Sequence, residues 1–505
     1  MQIPYTYIEN ININQQAKDA TGKQLDSQPA AIMLVPAKPG KDVWDRLPYG
    51  ELIRTRFQRR LRSDKTCSQV TLDLPNKNGT RVLLQTIKPD TSTFACLTLA
   101  RKLAADLRTI DPQSIGLQVA GFDTETGERI TESMLAALLT AACPMPDFKS
   151  KPAPNAALTR IKIYGVAKKI NLKPLRAEIM GNHLARWLAA LPPNELTPGR
   201  YRKLVSQLAR QEGWTMQFLD RKALARKKAG AFLAVVQGSP VQDAGIVHLR
   251  YRPKGRAGKK LALVGKGICF DTGGVNVKPA KYMNGMHEDM QGSAVALGTL
   301  LSLSRIGVNY AIDCWLALAE NHIGSKAYKP NDVITACNGT TIEVKHTDAE
   351  GRMVLADTLV LASRAKPHAL IDYATLTGAC IYSLSSRYSG VFTNRSKLNE
   401  TLIKAGSDSG ERVWPFPLDE DFDESLESPV ADTLQCTLEG DADHILAARF
   451  LKRFVDDKIN WVHVDLAASN HKGGLGHVPT DTTGFGVRFT LNLLAEQHFL
   501  DGTWN

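Results

Sequence analysis

The sequence predicts an α/β protein of two domains: a smaller N-terminal α/β domain and a C-terminal domain whose central sheet is mostly parallel and flanked by helices. Three observations lead there. At 505 residues the chain exceeds one ordinary domain, and 43% apolar residues supply more than one core. Strand-like apolar runs alternate with helical ones along the whole chain. In the C-terminal part those runs are apolar throughout instead of alternating, as expected of strands covered on both faces.

Residues 1–165 form the first predicted domain. Short strands ("AAIMLVPA", "TRVLLQTI", "SIGLQVAGF", "RIKIYGV") are interleaved with helices ("TFACLTLARKLAADL", "ESMLAALLTAA"), and the Pro- and Lys-bearing stretch 143–157 reads as a surface loop. A linking helix is expected within 166–194, over about 172–191, and "LPPNELTPGR" stops it because proline cannot continue a helix. In residues 195–505 the strands "KLALVGKGICF", "YAIDCWLALAE", "HALIDYATLTG" and "INWVHVDLAAS" alternate with the helices "SAVALGTLLSLSR", "RMVLADTLVLASRA", "HILAARFLKRFV" and "GFGVRFTLNLLAEQ". In a parallel sheet of this kind the ligand crevice lies beyond the carboxyl ends of the strands.

Composition narrows the function classes. No apolar run approaches the 18 or so residues of a membrane helix, and "MQIPYTYIENININQQ" lacks the basic flank and apolar stretch of a secretory signal, so a cytoplasmic protein with no membrane partner is expected. The eight cysteines are scattered without a CxxC pair, which excludes a zinc finger and fits reduced core thiols. The net charge is +12, and residues 201–260 hold 14 Lys or Arg against 3 acids, with a second basic cluster, "IRTRFQRRLR", at 53–62. Such patches are either solvated surface or a means of binding nucleic acid or other acidic partners.

The chemistry concentrates in two segments. In "LVGKGICFDTGGVNVKPAKYMNGMHEDMQGSA" the residues Lys266, Asp271, Lys278 and Asp289 follow an apolar strand or open the next helix. In "VKHTDAEGRMVLAD" the residues Asp348, Glu350 and Arg352 precede another apolar helix in the same way. Ion pairs with Lys266, Lys278 and Arg352 would account for each group of acids taken singly. Four carboxylates gathered in one crevice, however, repel one another and protonate unless cations balance them. Two divalent ions would do so, and hard oxygen ligands suit zinc, manganese or magnesium.

These segments, with their spacings of 5, 7, 11 and 59 residues from Lys266 through Asp271, Lys278 and Asp289 to Asp348, resemble the leucyl aminopeptidase (cytosol aminopeptidase, M17) family. "LPPNELTP", "DYATLTGA", "SPVADTLQC" and "GFGVRF" extend the likeness over about residues 170–500, whereas the N-terminal third is similar only in size and strand pattern. The resemblance implies that 195–505 is a catalytic dimetal peptidase domain hydrolysing N-terminal, leucine-like residues from peptides with two zinc or manganese ions. It implies a tighter metal on Lys266, Asp271, Asp289 and Glu350, and an exchangeable one on Asp271, Asp348 and Glu350. Lys266 would then bind as the neutral amine, which costs about 4 to 5 kcal/mol at pH 7 unless a neighbouring dication lowers its pKa. By the same analogy Lys278 stabilises the oxyanion, Arg352 holds a bicarbonate ion that shuttles the proton, and the enzyme is a homohexamer.

The chain departs from the family's pattern at several points. His287 and His346 replace the family's Lys and Asn beside matched carboxylates, and a supporting role is expected of both, because the ligand set is complete without them. The pocket for the first side chain is expected to include Met286, Thr375, Leu376 and Ala467, an apolar set. "DLAASN" and "EGDADHILAARF" differ from the more Gly- and Ala-rich family versions. A Cys-Gly hydrolase or other dipeptidase is the neighbouring reading. From another class, a DNA-binding or recombination accessory role would use the basic window 201–260.

Overall fold

A computed structural model describes residues 4–154, 156–255, 257–502 and 504. The chain divides into two units, one made of Pro4–Ile179 with Gly474–Pro479, the other of Met180–Gly473 with the segment from Thr480 onward. The division falls inside the helix Leu172–Ala189, where the sequence predicts one.

The first unit is built on a six-stranded sheet of β1 (Asn12–Gln15), β2 (Ala30–Pro36), β3 (Gln69–Asp73), β4 (Arg81–Ile87), β5 (Ser114–Val119) and β6 (Arg160–Tyr164), in the order β1-β6-β5-β2-β4-β3. All neighbours are parallel except β3, an antiparallel edge strand. The helices Thr93–Leu107 and Thr124–Ala142 start where Ser92 and Asp123 accept hydrogen bonds from otherwise unpaired backbone N–H groups. The basic stretch "IRTRFQRRLR" lies in the helix Gly50–Ser63, with Ile53 and Phe57 buried and Arg56, Arg59 and Arg60 exposed.

The second unit carries an eight-stranded sheet of β7 (Thr215–Asp220), β8 (Gly245–Tyr251), β9 (Lys260–Asp271), β10 (Ala311–Asn321), β13 (Ala369–Ala374), β14 (Ser389–Thr393), β15 (Val413–Pro415) and β17 (Asn460–Asp465). A small separate sheet joins β11 (Val333–Thr335), β12 (Thr341–Glu343) and β16 (Thr433–Leu434). The large sheet runs β15-β14-β17-β13-β9-β10-β8-β7. Its centre, β17-β13-β9-β10, is wholly parallel, and the antiparallel pairs lie toward its margins. The four strands read from the sequence are this central quartet. β14 and β15, at one margin, are short, with five and three residues.

Alternate residues of a strand face opposite sides. Ala262, Val264 and Ile268 of β9 join Met353, Val354, Leu355 and Leu359 of the helix Glu350–Arg364 in one core. Gly265, on the other side, faces the helix Gln291–Ile306: a Cβ there would lie 2.4 Å from the Cα of Ser293. Gly292 is equally close to the sheet, with 2.1 Å between a notional Cβ and the Tyr373 carbonyl oxygen. Two glycines therefore let the helix backbone rest directly on β9 and β13, which fixes the position of the segment just before that helix.

Candidate active site

The carboxyl ends of the parallel strands converge on a cleft of about 480 Å³. Lys266 and Asp271 come from β9; Thr375 and Leu376 follow β13; Ala467 follows β17. Met286 and Asp289 arrive from the 3-10 turn Met286–Glu288, and Asp348, Glu350 and Arg352 from the start of the helix Glu350–Arg364. With Lys278, these eleven residues singled out in the sequence all line the one cleft.

Two turns hold the acidic loops together. Gly273 and Gly274 have φ of 85° and 69°, the left-handed region that glycine enters freely. The tight turn they permit lets Thr347 Oγ1 donate to the Gly273 carbonyl at 2.6 Å and accept from Asn276 N at 2.9 Å. Asn321, the last residue of β10, donates to Asp271 Oδ1 at 2.8 Å and to the Thr347 carbonyl at 3.0 Å. Gln435 accepts from His346 N at 3.2 Å and donates to the Ala349 carbonyl at 3.0 Å. Asp465 accepts from Leu376 N and Thr377 Oγ1. Of these anchors Asn321 and Asp465 each carry a signal in the sequence, as a polar residue ending an apolar strand.

The charges interlock. Lys266 Nζ donates to Asp289 Oδ1 at 2.8 Å and to the Thr375 carbonyl at 2.9 Å, and lies 3.0 Å from Glu350 Oε1. Lys278 Nζ lies 3.0 Å from Asp271 Oδ2 and 2.5 Å from Asp348 Oδ1. Two lysines thus face four carboxylates, leaving an excess of negative charge in a mostly buried cluster. Gly351 makes room for the first lysine, since a Cβ there would lie 2.5 Å from Lys266 Cε.

The donor set fits divalent cations. Asp289 Oδ2 and Glu350 Oε2 are buried without a hydrogen-bond partner, an arrangement that costs free energy unless another group binds there. Ligand oxygens of Asp271, Asp348 and Glu350 lie within 4.8 Å of one another. Burial first, then the neighbouring carboxylates, push Asp289, Asp348 and Glu350 above the ordinary carboxylate range, against the pull of the lysines. Lys266 and Lys278 move the other way from what burial dictates: the surrounding carboxylates outweigh desolvation and hold both above the usual lysine value.

A pH dependence follows. Between the unfolded carboxylate pKa near 4 and the raised folded values, the metal-free folded chain binds more protons than the unfolded one, so its stability falls as pH rises. The lysines stay protonated through that window and add no slope. A divalent ion that binds the charged carboxylates opposes the fall. Melting curves of the chelator-treated protein from about pH 5 to 8, with and without added zinc or manganese, should show a declining Tm that the ion restores.

Arg352 is buried, and its guanidinium donates to Asp443 Oδ1 at 2.7 Å and to the Gln435 carbonyl at 3.2 Å. Asp443 lies 91 residues away, in the stretch "EGDADHILAARF" that departs from the family's pattern. His346 lines the cleft, with Nδ1 accepting from Asp348 N at 3.3 Å; burial and the Lys278 charge lower its pKa. Burial likewise lowers that of His287. Neither histidine joins the carboxylate cluster among the described residues. Lys203, Arg210, Lys222, Arg226, Lys227 and Lys228, from the basic window, are exposed to solvent. No helix among the described residues is long and apolar enough to cross a membrane.

Comparison with known proteins agrees with this geometry. Residues 183–491 match the model of the cytosol aminopeptidase family, catalytic domain. The chain is 36% identical over 442 residues to a "Probable cytosol aminopeptidase" of Synechococcus sp. (strain CC9311), covering 83% of this chain and 88% of that protein. A protein of the same name from Prochlorococcus marinus (strain MIT 9313) is 39% identical over 357 residues, with 69% and 72% covered. Among solved structures, a mutant of tomato leucine aminopeptidase superposes with a TM-score of 0.84 at 25% identity, covering 96% of each chain. An α/β fold with parallel-rich sheets, a carboxylate-lined cleft at the strand ends and a family match over most of the second unit lead to one assignment: the chain belongs to the cytosol aminopeptidase family, whose members are peptide hydrolases.

Proposed function

We propose that this protein is a dimetal-dependent leucyl aminopeptidase, removing leucine-like N-terminal residues from peptides in the cytoplasm as a homohexamer. The observation that carries the reading is the pair of unpartnered buried oxygens, Asp289 Oδ2 and Glu350 Oε2, inside a cluster with more carboxylates than ammonium groups. Lys266, Asp271, Asp289 and Glu350 hold the tighter ion, zinc or manganese; Asp271, Asp348 and Glu350 hold the exchangeable one. When bound, such ions supply Lewis acidity and a water acidic enough to attack a carbonyl near neutral pH.

The chain's own groups do the rest. The Lys278 ammonium reaches into the cleft on a flexible stem and stabilises the negative oxygen that develops on the scissile carbonyl. Asp289 Oδ1 is held by Thr375 Oγ1 at 2.7 Å as well as by Lys266, which keeps its other oxygen aimed at the metal position. Met286, Leu376 and Ala467, with the Thr375 side chain, wall the pocket for the first residue. The guanidinium of Arg352 already gives Nη2 to the carboxylate of Asp443 and Nη1 to the Gln435 carbonyl, so a bicarbonate ion at this arginine would compete with Asp443 for the guanidinium.

Cleavage of a panel of aminoacyl-amides after metal stripping, then after return of zinc or manganese, tests the reading. Activity lost on chelation and regained with either ion, highest on leucine-like residues, is the expected result. Hydrolysis indifferent to chelation would sink it. Arg352→Ala is expected to slow turnover by about a hundredfold while the bound-ion content, measured by elemental analysis, stays at two per chain.

A further inference from the structure

The buried arginine of the cleft already has a carboxylate of its own chain beside it, on Nη2, while its Nε has no hydrogen-bond partner. Arg352 has 3% of its side chain exposed and gives Nη2 to Asp443 Oδ1 at 2.7 Å; the Asp443 side chain, 26% exposed, lines the same cleft as the lysines and carboxylates. A carboxylate and a bicarbonate are alike in what an arginine recognises: a planar pair of oxygens sharing one negative charge, matched to the guanidinium fork. Both cannot use the same N–H.

The backbone turns sharply just before Asp443. It is the first residue of the helix Asp443–Lys452, and Ala442 before it sits at φ 52° and ψ 27°, a left-handed conformation that an alanine adopts against its own preference. Strain of this kind persists where the surrounding structure imposes it, and it clusters at functional sites. Gly440, Asp441, Ala442 and Asp443 belong to the stretch "EGDADHILAARF", and Gly440 also lines the cleft.

We infer that Asp443 is a built-in anion: its carboxylate occupies the seat on Arg352 that an exchangeable bicarbonate would take, so this enzyme works without dissolved bicarbonate. The inference rests on the aminopeptidase reading for its place in the reaction, but not for the occupancy of the arginine. Asp443 keeps the guanidinium neutralised and fixed, and it brings a second carboxylate oxygen to the cleft on the chain's own loop, with no ion to lose.

Two measurements test it on the full-length protein. The first is the line width of carbon-13 bicarbonate with the metal-free protein. The parent chain should leave the signal sharp, and Asp443→Ala should broaden it saturably. The second is turnover of a leucyl-amide by the metal-loaded enzyme in carbonate-free buffer. The parent should be unchanged when bicarbonate is added, whereas Asp443→Ala should be slower by about tenfold to a hundredfold and should recover with bicarbonate. Saturable broadening by the parent overturns the proposal, and so does an Asp443→Ala protein, folded by circular dichroism, that gains nothing from bicarbonate. If the alanine chain does not fold, Asp443→Ser gives the same two readings. A parent chain with no hydrolytic activity would defeat the aminopeptidase reading, and the line-width measurement would still decide the occupancy of Arg352.

Discussion

Glu350→Ala should lower turnover by about a thousandfold or more and reduce the bound-ion content of the protein, while leaving the secondary structure unchanged. Glu350 is 1% exposed, starts its helix, and stands between the two halves of the cluster: Oε1 faces Lys266 at 3.0 Å and Oε2 is unpartnered. Its ligand oxygen is one of the three that lie within 4.8 Å of one another. Removing it takes away the carboxylate assigned to both ions, so the loss is not confined to one. A group shared by both metal positions acts as part of a unit, and such units lose nearly all their rate enhancement when one member goes. The fold should tolerate the change, because Glu350 is itself held above the usual carboxylate range by burial and by Asp271, and its removal relieves like-charge repulsion. Elemental analysis after gel filtration, paired with steady-state kinetics, checks both halves. Equal ion content in parent and variant would contradict the assignment of Glu350 as a shared ligand.

The second large effect is structural. Gly292→Ala should cost the second unit about 3 to 5 kcal/mol and lower its melting transition by roughly 8 °C or more. The added Cβ would meet the Tyr373 carbonyl oxygen at 2.1 Å, the Tyr373 carbonyl carbon at 2.8 Å and Lys266 N at 3.0 Å. All three are backbone atoms of the central strands β13 and β9 and cannot turn aside as a side chain would. The helix Gln291–Ile306 must instead lift off the sheet. Asp289 lies two residues before that helix, so activity should fall with stability, in contrast to Glu350→Ala. Differential scanning calorimetry resolves the outcome, since a chain of two units need not melt in one transition. A Gly292→Ala protein with the parent's Tm would mean that the helix is not packed this closely.

Much of the cleft's charged lining was legible because its groups are close together in the sequence. Lys266, Asp271, Lys278 and Asp289 share one segment and Asp348, Glu350 and Arg352 another, although the apolar strand runs on further than its sequence suggests and takes in Lys266 and Asp271. Catalytic groups at strand ends fall within a few residues of apolar runs that announce themselves by period and length. Met286, Thr375, Leu376 and Ala467, expected from the sequence as an apolar pocket, line the same cleft. Asn321, Gln435 and Asp443 were not legible in their contacts, although Gln435 and Asp443 stand in the quoted stretches "SPVADTLQC" and "EGDADHILAARF". They reach the site from β10 and from the stretch after β16, and nothing beside them in the sequence says which distant groups they will meet.

The amino-acid order by itself determined the alternation of apolar strands and amphipathic helices and the grouping of four carboxylates with two lysines in two short segments. Backbone propensity, hydrophobic period and charge are properties of neighbours along the chain. Only the tertiary structure decided the strand order β17-β13-β9-β10, the unpartnered state of Asp289 Oδ2 and Glu350 Oε2, and the closure of Arg352 onto Asp443. Each of these depends on which distant surfaces pack together, and burial, not sequence position, sets whether a polar atom has a partner.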